Sequence, residues 1–227
     1  LGAAATGSWS EEIRGALSYV VACVVKAGPS PSTQDRIIDL AGKVGKPDYL
    51  LDASFCQLVR DFDAQRLEYV LEKLTSEDAS YLIESRLRLV TLLLRYLEKE
   101  DQLETLASFG RRVFALILNP LHASTGDASW VANVVASSSL LGDLVRRRDV
   151  VLFKERDLAL ALSHISAVVG PGASDEAGEG VPPLPNAVYD ATTRLFSALF
   201  QRFPKQLYIC VPSVVSVLHS FLRQVLY

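Results

Sequence analysis

Between Ser76 and Lys99 the chain carries apolar residues on more than one side of any helix it could form. Ile83, Leu87, Val90, Leu94 and Leu97 recur at a 4-3-4-3 spacing, and Leu82, Leu89, Leu93 and Tyr96 fall beside them. An amphipathic surface helix needs one apolar stripe, whereas a helix this broadly apolar must be covered on two sides. The segment predicts a helix with neighbours on two sides, supplied by this chain or by a second one.

The flanking sequence holds further helices. Ser8 and Glu11 have capping-box spacing ahead of IRGALSYVVACVVKA, which Gly28 and Pro29 end. A second helix is predicted over Pro31–Gly45, with Ile37, Ile38, Leu40, Ala41 and Val44 inward. A third, DYLLDASFCQLVRDF, is expected to start from Pro47 in its first turn. A short helix carries Leu67, Val70, Leu71 and Leu74. Further helices are predicted over Gln102–Leu118, Ala128–Arg147, Lys154–Val169, Asn186–Phe203 and Lys205–Leu226, with Pro212 kinking the last or starting a new one. No stretch alternates as a strand does. The expectation is an all-α fold of about ten helices, an irregular helical-repeat array of HEAT or armadillo kind or a helical bundle. No strict repeat period is present, which argues against a regular tetratricopeptide or ankyrin array. Residues 1–227 read as one domain, with Gly170–Pro185, rich in Gly, Pro and acid, as a flexible surface loop.

Composition narrows the partner classes. The chain has 227 residues, 49% hydrophobic and 22% charged, as folded domains do. Its 23 basic and 26 acidic residues give a net charge of −3, without the basic excess of a dedicated nucleic-acid-binding domain. Cys23, Cys56 and Cys210 are odd in number and far apart, form no CxxC, and read as small core hydrophobes in a reducing intracellular compartment. No secretory signal is visible, and the apolar C-terminal runs are broken by Pro, Ser and His, so no membrane span is expected. The absence of any methionine reads as the mark of an internal or C-terminal piece of a longer protein.

Sites for chemistry are sparse. Phosphate-loop, GxSxG, HExxH and dinucleotide-binding patterns are absent. His122, His164 and His219 have no histidine, cysteine or carboxylate at ligand spacing, so no metal or other cofactor is expected. Glu98, Glu100, Asp101 and Glu104 lie among polar residues at a helix junction and read as solvated charge. The binding candidates are basic: Arg146, Arg147 and Arg148, followed by Lys154 and Arg156, with Arg111 and Arg112 as a second pair. Arginine forks suit phosphate or carboxylate. Interleaved Asp149, Glu155 and Asp157, and the lack of an aromatic platform, also fit a solvated helix end.

LFKERDLALALSHISAVVG and AVYDATTRLFSALFQRFPKQLYICVPSVVSVLHSFLRQVL, separated by the Gly/Pro/acidic insert, resemble the C-terminal domain of the nucleolar Urb-two (Npa-two) family. The likeness covers the last third of the chain. It implies a non-enzymatic scaffold in large-subunit ribosome assembly and pre-ribosomal RNA processing. Such a scaffold would reside in the nucleolus and dock on another large helical-repeat assembly factor, with contact to pre-rRNA second and no small-molecule substrate. No catalytic residues follow from it. Two other readings stay open: a helical-repeat adaptor binding peptides or helices in trafficking or chromatin, and an enzyme whose site is assembled from scattered residues.

Overall fold

The computed structural model describes residues 11–44, 48–76, 81–118, 130–147 and 185–202, with isolated positions 163, 211, 212, 215, 218, 219 and 222. Among these residues the fold is all-α. The helices are α1 (Glu11–Lys26), α2 (Pro31–Lys43), α3 (Tyr49–Arg60), α4 (Ala64–Thr75), α5 (Ile83–Tyr96), α6 (Glu100–Ser108), α7 (Gly110–Leu118), α8 (Trp130–Arg146) and α9 (Asn186–Arg202). Ser8, all of the Lys154–Val169 helix but Ser163, the Gly170–Pro185 loop up to 184 and most of Lys205–Leu226 lie outside the described residues.

Local chemistry sets the helix starts. Ser30 caps α2 by accepting from the Thr33 N–H at 3.4 Å, and Pro31 follows at the first helical position. Asp48 caps α3 by accepting from Leu51 N–H at 3.0 Å, and Asp63 caps α4 by accepting from Arg66 N–H at 2.7 Å. The third helix thus begins at Tyr49 behind an aspartate cap, not at a first-turn Pro47. A carboxylate facing orphan N–H groups starts a helix more strongly than a fixed proline φ.

Packing follows a row. α1 touches α3, α3 touches α5, α5 touches α8, and α8 touches α9; α2, α4, α6 and α7 lie alongside and complete the second layer. α5 is the hub, packed against α2, α3, α4, α7 and α8. Its Leu87, Leu89, Val90, Leu93 and Leu94 are fully buried, as their two-faced pattern requires. At the N-terminal end Leu82 and Ile83 are exposed, and at the C-terminal end Tyr96 is exposed while Leu97, one position on, is 1% exposed, so cover at the tips is one-sided.

The expected single helix Gln102–Leu118 is two. Phe109 closes α6, its N–H donating to Leu106 and Ala107 carbonyls, and α7 restarts at Gly110. The apolar face runs on unbroken through Leu106, Phe109, Val113, Leu116 and Ile117, all buried, so periodicity alone reads one helix. The break lets α6 lie on α4 while α7 reaches α5 and α8. Glycine offers least resistance to that bend.

Helix C-termini are tied by side chains from other helices. Arg88 Nη2 donates to the Ala41 and Val44 carbonyls at 3.0 and 3.1 Å, and Ser85 Oγ donates to Val44 at 2.8 Å, closing α2. Buried Arg86 donates to the Leu74 and Ser76 carbonyls at 2.6 and 2.7 Å, closing α4. Gln102, 1% exposed, donates to the Phe62 carbonyl just past α3 at 2.6 Å. Each bond satisfies a carbonyl that the helix itself leaves open.

Candidate docking surface

The last turns of α5 and α8 meet beside α9, and both carry arginine. Asp143 on α8 is buried, and its carboxylate holds two guanidinium groups. Arg95 Nε and Nη2 donate to Oδ2 at 2.9 and 2.7 Å; Arg146 Nη1 donates to Oδ1 at 3.1 Å. Arg146 Nη2 also lies 3.4 Å from the Arg194 carbonyl on α9. The Arg95 and Arg146 side chains remain 55% and 50% exposed. A guanidinium has five N–H donors in a rigid fork, so these contacts fix both groups without using all their donors. The corner can present two oriented cations to a carboxylate or phosphate. The guanidiniums are half-exposed while the carboxylate is buried, so the pairs keep a buried charge compensated.

The five basic candidates separate. Arg146 belongs to this outward pair. Arg147, its neighbour in sequence, donates to the Leu94 and Leu97 carbonyls and closes the C-terminus of α5. One position is about 100° around a helix, enough to send adjacent arginines in different directions. Arg148, Lys154 and Arg156 lie outside the described residues. The second pair also splits: Arg111 is exposed, whereas Arg112 pairs with Glu72 and lies 5.2 Å from the Phe109 ring centroid. Arg95 was missed by sequence reading because its partner is far along the chain. Its only local signal is a cation in a last helical turn.

Elsewhere the polar groups hold helices together. On the α2–α4 seam, Arg66 pairs with Asp35 at 2.7 Å and Lys73 with Asp39 at 3.0 Å, and the Tyr81 hydroxyl also donates to Asp39. Burial alone would raise the Asp39 carboxyl, but Tyr81 and Lys73 hold it below its ordinary 3.8. Burial, with Asp39 adding, raises the Tyr81 phenol above its ordinary 10.0. Cys56 is buried, and burial with nearby Asp52 pushes its thiol up to about 11, away from a reactive thiolate. Cys23, expected in the core, is exposed. It sits on the side of α1 turned away from buried Val21 and Val25. Glu98, Glu100, Asp101 and Glu104 are exposed, as is His219; Cys210, His122 and His164 lie outside the described residues. Among the described residues no three His, Cys, Asp or Glu side chains group to hold a metal ion, and no helix is long and apolar enough to cross a membrane.

Compared with known proteins, the chain matches no family model, no curated protein and no solved structure.

Proposed function

We propose that this chain is a non-enzymatic docking scaffold, of the nucleolar kind its last third resembles, acting in large-subunit ribosome assembly. Its partner would be another large helical-repeat assembly factor, with pre-rRNA phosphate a secondary contact at the same corner. The observation that carries the docking part is the Arg95/Arg146 pair. It consists of two half-exposed guanidiniums oriented by one buried carboxylate, at a point where three helices meet. Oriented arginine forks favour acidic or phosphate surfaces, and a net charge of −3 favours a protein partner over bulk nucleic acid. The nucleolar assignment rests on the resemblance alone.

The test is affinity purification of the tagged full-length protein, wild type and with Arg95→Glu plus Arg146→Glu in an Asp143→Asn background, so that no buried carboxylate faces like charge, together with its localisation. Expected are nucleolar signal, co-elution of pre-ribosomal proteins from wild type, and loss of that co-elution from the variant at unchanged helicity. A vesicular or diffuse signal, or co-elution indifferent to both reversals, overturns the reading.

A further inference from the structure

The side-on edge of Arg95, Nε with Nη2, is taken by Asp143 Oδ2 at 2.9 and 2.7 Å. A guanidinium is planar, so its end-on edge, Nη1 with the outer N–H of Nη2, is turned from that carboxylate. Arg146 reaches the other oxygen, Oδ1, through Nη1 at 3.1 Å and the Arg194 carbonyl through Nη2 at 3.4 Å, which leaves its Nε–H unused. The Asp143 side chain is 11% exposed, so the carboxylate stands behind the two guanidiniums and not between them and water. One carboxylate does not balance the corner. Arg147 lies on the Leu94 and Leu97 carbonyls of the same turn of α5, and Arg194, whose carbonyl meets Arg146, is exposed on α9. Against these arginines stand Asp143 and, just past α5, exposed Glu98, whose neighbour Lys99 is exposed as well. The surplus is positive on a chain whose net charge is −3, and a local surplus of that kind steers an anion to one place.

We propose that this corner is a phosphate-monoester site and that its ligand is a phosphorylated serine or threonine of the docked partner protein. The inference rests on the docking reading above and names what the partner brings to the same corner. Two forks that come from different helices, α5 and α8, need acceptor oxygens on more than one side of the ligand. A phosphoryl group offers three, where a carboxylate offers two. A single glutamate or aspartate fills one fork and leaves the other in water. Two of them must each lose side-chain freedom to do what one phosphoryl group does. The monoester also carries close to two negative charges, which the positive surplus matches. The phosphodiester inside an RNA carries one and has two free oxygens. RNA gains affinity from many such contacts along a basic track, which a chain of net charge −3 does not supply. Both guanidiniums stand half-exposed at the surface, where a short phosphorylated side chain reaches them.

The experiment titrates the full 227-residue chain into fluorescent peptides of one neutral Gly/Ala-rich sequence with serine, glutamate or phosphoserine at the centre, read by anisotropy. The phosphoserine peptide should bind saturably and at least about tenfold more tightly than the glutamate peptide, and the serine peptide should not bind. Its affinity should fall between about pH 7.5 and about pH 5, because the phosphoryl group loses its second charge near pH 6, while the glutamate peptide stays level. Arg95→Lys and Arg146→Lys each keep a cation on Asp143, so the melting temperature should hold. Each should still weaken the phosphopeptide by about tenfold, since an ammonium presents no fork. Arg36→Lys, at an exposed arginine of α2, should change nothing. An RNA of about ten nucleotides with hydroxyl ends, and the same RNA with a 5′-phosphate, complete the set. Tighter binding of either RNA than of the phosphopeptide overturns the inference in favour of nucleic acid. Equal binding of the glutamate and phosphoserine peptides, an affinity indifferent to pH, lysine variants that both bind as wild type does, or no saturation by about 1 mM each overturns it too. If the two peptides bind alike while the charge-reversed variant still loses co-elution, the phosphate inference fails and the docking reading stands. Co-elution indifferent to the reversals removes both.

Discussion

Gly42 shows how one residue's effect depends on what faces it. A Cβ built there would lie 2.7 Å from the Tyr81 ring, whose hydroxyl donates to Asp39. Glycine inside an exposed helix costs about 1 kcal/mol relative to alanine, so Gly42→Ala on propensity alone would stabilise. Here it should destabilise by about 1–3 kcal/mol, the range for overpacking, read as a lower urea midpoint. Paired with Tyr81→Ala, which vacates the space, the same change should recover most of that loss. The Asp39–Lys73–Tyr81 cluster also sets a pH window. Asp39 is depressed, so its contribution is present above 3.8 and is lost as pH falls through the lower folded value. Tyr81 is raised, and Lys73 is raised because Asp39 and Tyr69 outweigh burial. Their contributions are present below 10.0 and 10.5 and are lost as pH rises through the higher folded values. Melting temperatures across pH should show Asp39→Asn flattening the acid limb, and Tyr81→Phe flattening part of the alkaline limb while Lys73 keeps the rest. None of this was legible in sequence, since Asp39 and Tyr81 are joined only by folding.

At the scale of elements, the helices were legible and their ends were not. Apolar spacing and end signals placed α1, α2, α3, α8 and α9 to within a few residues and marked the bodies of α4 and α5, because period 3.6 survives whatever packs on it. The C-terminal ties run over long sequence separations, so no local window contains them. Arg86→Met should therefore cost about 2–3 kcal/mol, since it leaves the Leu74 and Ser76 carbonyls without their donor, and amide exchange should quicken first in the last turn of α4. Arg147→Met should loosen the end of α5 in the same way, whereas Arg146→Gln, half-exposed, should change stability by no more than about 0.5 kcal/mol. Denaturant melts of the two adjacent variants separate a positioning arginine from a surface one.

Across the whole molecule, the row and its alongside layer predict a gradient of local stability. α5, packed against five helices, should hold its amide protons longest, and α1, packed closely against α3 alone among the described helices, should exchange early. Leu93→Ala, at a fully buried position of α5, should cost about 2–5 kcal/mol and lower the melting temperature of the whole unit. The same removal on the outer side of α1, at Ile13, should cost far less. Hydrogen exchange followed by mass spectrometry reads both.

The all-α class, the need of α5 for cover on two sides and the lack of a recognisable catalytic motif are written in the chain, because periodicity, turn residues and motif spacing are local properties. The folded structure alone decided which arginines face outward, where Gln102–Leu118 breaks, and which side of α1 is buried. Those outcomes depend on groups such as Arg95 and Asp143, or Arg147 and Leu94, that are distant in the chain and meet only when helices pack. The two-sided apolar pattern of α5 required neighbours without naming them, since hydrophobic burial is non-directional. Their choice belongs to the directional bonds, the carbonyl ties and shared carboxylates, whose partners exist only in three dimensions.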